Sequence, residues 1–389
     1  MWGRIPPSFI ILEHRTGKTR AQLAKDAAEA ITVDPIEAET ERLAKHRERL
    51  IEQSLIRDVA GERSFRALLE RIAKSTVDLL PPPPPFKPVK TGRSASQETM
   101  VQLLSDFHAY EFVKASRTRG INEYTADIFG RRARSLVENH ISIKRRLERG
   151  GGWRFRELVV ALNGDIISGT IHELERHSDA PNVVLAVYGA ARVLALMLRD
   201  LAANYAKVRA FCISGNHGRL PDAKRMQQKD PLRNWDAMIY ILAKEMLADC
   251  ESIEFIIPDS YSVAYEVEGW RFIQTHGHSI KSWNQIPYYG INRQVTNLNA
   301  LEASRGSPVN YWLFSHFHSA SALPASAGKA IINGSLIGPN EFTINELGKA
   351  DKPLQVMFGV HPEQGITHYW EIHATEAEEG YPVRAWEEL

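Results

Sequence analysis

The feature that most restricts the fold of this chain is a series of short apolar runs, each stopping abruptly at polar residues able to do chemistry. They are Met100–Leu104, Leu158–Leu162, Val208–Ile213, Arg271–Thr275 and Val309–Phe314. Runs of this length are buried strands. Between them, Ala126–Arg149 and Val183–Tyr205 have the apolar spacing and length of helices. Strand and helix in alternation require an α/β domain whose helices cover the sheets. The later runs Ile253–Ile257, Tyr261–Val267, Ala330–Ile332 and His368–Ile372 lack long helices between them, and are expected to form a second, more antiparallel sheet. The expected domain spans residues 97–375.

Upstream the texture differs. Residues 1–80 read as a helical accessory region, with Thr19 and Gln22 at capping-box spacing. Ile36, Leu43 and Leu50 recur as a heptad, but Thr40, Arg47 and Ser54 stand where its second apolar position should be, which argues against a continuous coiled-coil seam. The region remains a candidate for homo-oligomerisation through an amphipathic helix bundle. Pro81–Pro85 and the following Gly-Arg-Ser-Ala-Ser stretch cannot continue a helix, so residues 81–96 read as a semi-rigid linker. Residues 376–389 read as an acidic, solvent-exposed tail. Gly17-Lys18-Thr19 lacks the first glycine of a phosphate-binding loop, Leu12 standing in its place.

Composition removes several function classes. Lys plus Arg number 48 against 47 Asp plus Glu, so no general field draws the chain to nucleic acid or anionic lipid, and any such preference must be local. Two cysteines, Cys212 and Cys250, cannot build a disulfide framework and fit a reducing cytoplasm. The apolar run Phe9–Leu12 is too short for a signal-peptide core, and no uncharged apolar stretch nears about 18 residues. Cytoplasmic location without membrane insertion is therefore expected.

Five of the strand-like segments end in metal-ligand chemistry: Asp106-Phe107-His108, Gly164-Asp165, Gly215-Asn216-His217, His276-Gly277-His278 and His316-Phe317-His318. One such segment means little, since a histidine at a strand end is commonly a hydrogen-bonded loop residue. Five in succession, each where ligand sites of α/β sheets collect, point to a site. Mixed imidazole, carboxylate and amide donors suit manganese, iron or zinc. Two divalent ions about 3.5–4 Å apart need a bridging ligand, and Asp165 is the natural one. Manganese is the expected pair of ions, with iron, zinc and magnesium as alternatives.

The order and spacing of these motifs resemble the calcineurin-like metallophosphoesterases, whose signature runs D-x-H, G-D, G-N-H, H and H-x-H. The resemblance covers residues 100–320. It implies a two-sheet α-β-β-α sandwich in which Asp106, His108 and His318 hold one ion and Asn216, His276 and His316 the other, with Asp165 between. It also implies that His217 contacts the phosphate and protonates the leaving oxygen. Gly218 departs from the pattern, because many members carry an acidic residue there to orient the catalytic histidine. His278 is expected to lie behind the ligands or face substrate, and His172 is the candidate to support a ligand or touch substrate.

The substrate is less legible. Gly164-Asp165-Ile166-Ile167-Ser168-Gly169-Thr170 lacks the arginine that the protein phosphatases of this superfamily carry soon after the bridging aspartate. Arg219–Arg233 and Lys281–Arg293 interleave basic residues with Trp283, Tyr288 and Tyr289, which suits a phosphate backbone with unstacked bases. The texture around Asn216-His217-Gly218-Arg219 and Asn234-Trp235-Asp236 is similar to DNA-repair exonucleases and phage-type phosphoesterases. The leading expectation is thus a DNA phosphodiesterase, with a small-metabolite phosphatase or phosphodiesterase as the alternative. An assembly module with a structural metal domain is the reading from a different class.

Overall fold

The computed structural model divides into two compact units, Met1–Thr76 and Val77–Leu389. Described residues in the first are 17–19, 21–23, 25–26 and 45, and in the second 80–88, 95–150, 152–169, 178–220, 231–281, 287–325 and 328–388. In the first unit the Gln22 carboxamide accepts the Thr19 N–H (3.1 Å), so the expected capping contact forms. The rest of the expected helical region, and His172, lie outside the described residues.

The second unit begins against its own surface. The Leu80 N–H donates to the Met246 carbonyl (3.1 Å), and the Lys144 ammonium lies 5.8 Å from the centre of the Phe86 ring. A first sheet then holds β1 (Ser96–Leu104), β2 (Trp153–Leu162), β3 (Lys207–Cys212) and β4 (Ile253–Ile256) in parallel, extended past β1 by antiparallel β10 (Leu354–His361) and β11 (Gly365–His373). A second sheet runs β5 (Ser262–Val267), β6 (Trp270–Thr275), β7 (Tyr311–Phe314), β9 (Gly328–Ile332) and β8 (Ser321–Ala325). Two expectations are corrected here. The runs at Ile253 and His368 join the first sheet, and the second sheet is mixed, with β6, β7 and β9 parallel. Short runs carry no partner information, and β10, which the sequence reading passed over, supplies the edge that β11 needs.

The sheets pack face to face. Val101, Leu103, Val159, Ala161 and Phe211 of the first meet Phe272, Leu313 and Ile331 of the second in one apolar core, each large side chain worth about 1.5–3 kcal/mol of burial. The other face of the second sheet buries Trp312, Phe314 and Ile332 against Ile291 and Val295 of α4 (Tyr288–Ser304). On the first sheet lie α1 (Ala126–Arg149), α2 (Val183–Ala202) and α3 (Trp235–Met246), capped at their N-termini by Thr125, Asn182 and Asn234. The architecture is therefore a helix–sheet–sheet–helix sandwich. None of the described helices is long and apolar enough to cross a membrane.

The C-terminal segment is not the exposed tail its charge suggested. Tyr381, Val383 and Ala385 are buried, and the Tyr110 hydroxyl donates to the Val383 carbonyl. Its acidic residues lie between apolar ones that pin it to α1.

Under α1, His140 is fully buried, donating from Nδ1 to Gln102 Oε1 (2.9 Å) and accepting at Nε2 from the Tyr205 hydroxyl (2.7 Å). Burial, helped by the Lys144 charge, pulls its pKa from 6.5 down to about 3. The unfolded chain therefore takes up this proton first as pH falls. The contribution is complete above about pH 6.5 and is lost toward pH 3 at up to about 1.4 kcal/mol per unit. Urea midpoints at pH 7, 5 and 4 should fall more steeply for the native chain than for His140→Gln; parallel slopes would show that His140 does not set the acid sensitivity.

Candidate metal centre

All the expected ligands leave the strands at one end of the sandwich and converge. Asp106 and His108 follow β1, Asp165 follows β2, Asn216 follows β3, His276 follows β6, and His316 and His318 follow β7. The loops are laced together: the Asp106 N–H donates to the Gly164 carbonyl (3.0 Å), the His108 N–H to the Asp165 carbonyl (3.1 Å) and the Ser315 N–H to the His276 carbonyl (3.0 Å). Five of the seven expected ligands adopt left-handed backbone, with φ of 51° at Asp106, 47° at His108, 52° at Asp165, 73° at His316 and 58° at His318. Such conformations are uncommon outside glycine and collect at functional sites.

Donor spacings fit a metal. Ions bonded at about 2.1 Å to nitrogen and oxygen set neighbouring donors about 3.0–3.4 Å apart. Here His318 Nε2 lies 3.3 Å from Asp106 Oδ1 and 3.3 Å from His108 Nε2. His276 Nε2 lies 2.9 Å from Asp165 Oδ2 and 3.1 Å from Asn216 Oδ1. Asp106, His108 and His318 form one compact donor group, and Asp165, His276 and His316 another. A third group joins Asp165 to His108 and His217, so Asp165 stands between the two halves.

Tautomers point the same way. His276 gives its Nδ1–H to the Asn163 carbonyl (2.7 Å), so its Nε2 faces two acceptor oxygens and requires a cation between them. Without metal that cation is a proton: burial opposes it, but the Asp165 carboxylate outweighs burial and raises the His276 pKa to about 9. Burial likewise pushes the Asp165 carboxyl up, yet the charges of His276 and His217 hold it well below its usual range. His108 is kept neutral by burial and by the neighbouring His217 and His318, leaving its Nε2 lone pair for an ion.

Two carboxylates take supporting roles that the sequence did not reveal. Asp236, fully buried in the first turn of α3, accepts the N–H groups of Asp165 (2.9 Å), Ile166 (3.0 Å) and Gly215 (2.9 Å), tying two ligand loops together. Burial first, and Asp165 next, raise its pKa to about 7. Its sequence signal was the capping Asn234 two residues earlier, which accepts the Asp236 N–H (2.9 Å). Glu111 is the other; it accepts from the Ser168 hydroxyl, whose oxygen faces His108 Nδ1 at 2.9 Å.

His217 lines the cleft above the ligands, its N–H donating to Asp165 Oδ1 (2.7 Å) and its ring edge-on to His108 at 4.7 Å. His278 sits 5.6 Å from the His276 ring and does not line the cleft among the described residues. The Arg219 guanidinium donates to the Asn216 carbonyl (2.8 Å), bracing a ligand. Gly218 has no room for a side chain, since a Cβ would lie 2.1 Å from Asn234 Oδ1. The cleft, about 810 Å³, is walled by residues 335–351, including α5 (Glu341–Asn345), a segment without any sequence motif.

No family model and no curated protein matches the sequence. Among solved structures, it is similar to a novel archaeal phosphodiesterase (12% identity, 71% of this chain and 99% of that one, TM-score 0.31). It is also similar to a predicted phosphoesterase from Streptococcus pneumoniae (11%, 70% and 98%, TM-score 0.28) and to Vps29 complexed with zinc from Entamoeba histolytica (9%, 71% and 100%, TM-score 0.29). The side chains, not these likenesses, carry the functional conclusion.

Proposed function

We propose that this chain is a calcineurin-like metallophosphoesterase that hydrolyses phosphodiesters at a two-metal centre. One observation carries the reading: donors from five strand ends gather in three overlapping groups linked through His108 and Asp165, facing atoms of Asp106, His108, His318, Asp165, Asn216 and His276 lie 2.9–3.3 Å apart, and His276 is locked in a tautomer that demands a cation. When bound, two divalent ions polarise a phosphoryl oxygen and lower the pKa of a water to near neutrality.

The chain's own residues supply the rest. Asp106, His108 and His318 would hold one ion and Asn216, His276 and His316 the other, with the Asp165 carboxylate shared between them. His217, on the cleft side of Asp165, donates a hydrogen bond to the phosphoryl group and passes a proton to the leaving oxygen. Beyond the ligands, the described cleft wall offers one cation, Lys349, against Glu111, Glu341, Glu346 and Asp351, with Phe317, Phe342 and Leu347 as apolar surface. A long phosphate backbone finds little to neutralise it there. The volume suits a drug-sized ligand. The best-supported substrate is therefore a compact phosphodiester rather than duplex DNA, although residues 221–230 and 282–286 of the two basic segments lie outside the described part.

With manganese added, bis-p-nitrophenyl phosphate should be cleaved faster than p-nitrophenyl phosphate, and His217→Ala should lower kcat about 10²–10³-fold with metal content unchanged. Labelled single- and double-stranded DNA run alongside would restore the nuclease reading if cleaved comparably. Hydrolysis of the monoester alone would overturn the diester assignment, and no hydrolysis at all would favour an assembly role.

A further inference from the structure

Glu111 is 4% exposed, lies just beyond the first ligand motif and is not itself within a donor group of the metal centre. Its two oxygens face different machinery. Oε2 accepts from the Ser168 hydroxyl, whose oxygen in turn takes the His108 Nδ1–H (2.9 Å). Oε1 accepts from the Asn340 carboxamide (3.0 Å). Asn340 is the N-cap of α5: it accepts the Thr343 N–H (3.0 Å), and its own N–H donates to the Thr343 hydroxyl (2.8 Å). That capping box fixes the first turn of the cleft wall, where Phe342 is 54% exposed.

We infer that Glu111 is a positioning residue that joins the metal ligand His108 to the α5 wall of the substrate cleft, so that loading the centre orders the surface that receives substrate. The inference rests on the metal-centre reading above. The physical ground is the direction of the hydrogen bonds. An ion on His108 Nε2 makes its Nδ1–H a stronger donor, which strengthens the chain through Ser168 to Glu111. A buried carboxylate with both oxygens engaged cannot release one partner cheaply, so the ring and the helix cap hold each other in place.

The test reads the wall directly. In the native chain, manganese(II) should slow amide hydrogen exchange in peptides spanning residues 338–347. In Glu111→Gln the slowing should vanish, and calorimetry should show manganese affinity weakened about 10–100-fold. Asn340→Ala cuts the link on the far side, leaving His108, Ser168 and Glu111 in contact. It should remove the manganese-induced protection of 338–347, weaken manganese affinity by no more than that lost protection factor, and raise KM for a compact diester. Equal protection in native and Glu111→Gln protein, or none in the native protein, would overturn the inference. So would unchanged exchange in Asn340→Ala, which keeps the test open if Glu111→Gln fails to fold. Exchange and calorimetry need no turnover, so absent diester hydrolysis would count against the proposed activity and not against this coupling.

Discussion

Asp165→Ala should abolish metal-supported diester hydrolysis, by about 10³-fold or more, and cut the number of bound ions from two toward one or none. Asp165 shares a donor group with His108 of one half and another with His276 and His316 of the other, and two-metal transition-state stabilisation is worth several kcal/mol. The same substitution changes the proton count. In the metal-free protein His276 is held protonated to about pH 9 by Asp165. Its stabilising contribution is fully present below about pH 6.5 and lost as pH rises through 9. An ion on Nε2 must displace that proton, so native protein at pH 7.5 should release protons on binding manganese. Calorimetry in buffers of different ionisation enthalpy measures this. Asp165→Ala should bind weakly and release fewer protons; unaltered stoichiometry and proton release would remove Asp165 from the bridging position.

Gly218→Asp, which restores the acidic residue common in the resembling family, should damage the protein instead of improving it. A Cβ at Gly218 would lie 2.1 Å from Asn234 Oδ1 and 3.0 Å from the Asp236 nitrogen. Asn234 caps α3 and donates to the Gly215 carbonyl (2.9 Å), and Asp236 holds the Asp165 and Gly215 loops. Losing the cap costs about 1 kcal/mol, and forcing atoms into a filled space about 1–3 more. We expect a stability loss of about 2–4 kcal/mol by urea denaturation, together with weakened metal affinity. Unchanged stability with faster turnover would mean that the glycine was a catalytic deficit after all.

The candidate donors were legible because Asp, Asn and His residues at the ends of apolar runs are a local signal. An apolar run breaking at Asp106-Phe107-His108 or His316-Phe317-His318 needs no partner to be noticed. The helix Ala126–Arg149 was legible for the same reason, its apolar spacing and bounds lying within one segment. Glu111 was not, and Asp236, although it stands in the Asn234-Trp235-Asp236 segment, gave no sign of its supporting role, since a buried carboxylate looks like any surface acid until its donors are seen. Residues 376–389 misled through charge, because Tyr381 and Val383 find their cavities only once α1 is in place.

The sequence by itself determined which residues can bind metal, the order in which strands deliver them and the α/β class, since all three follow from residue type and short-range period. Tertiary structure alone decided the rest. It set the membership of the two sheets, the left-handed backbone at five ligands, the tautomer of His276, the occupied space beside Gly218 and the wall of the cleft. Each of these depends on atoms far apart in the chain. Hydrogen-bond direction and excluded volume acquire meaning only when those atoms meet.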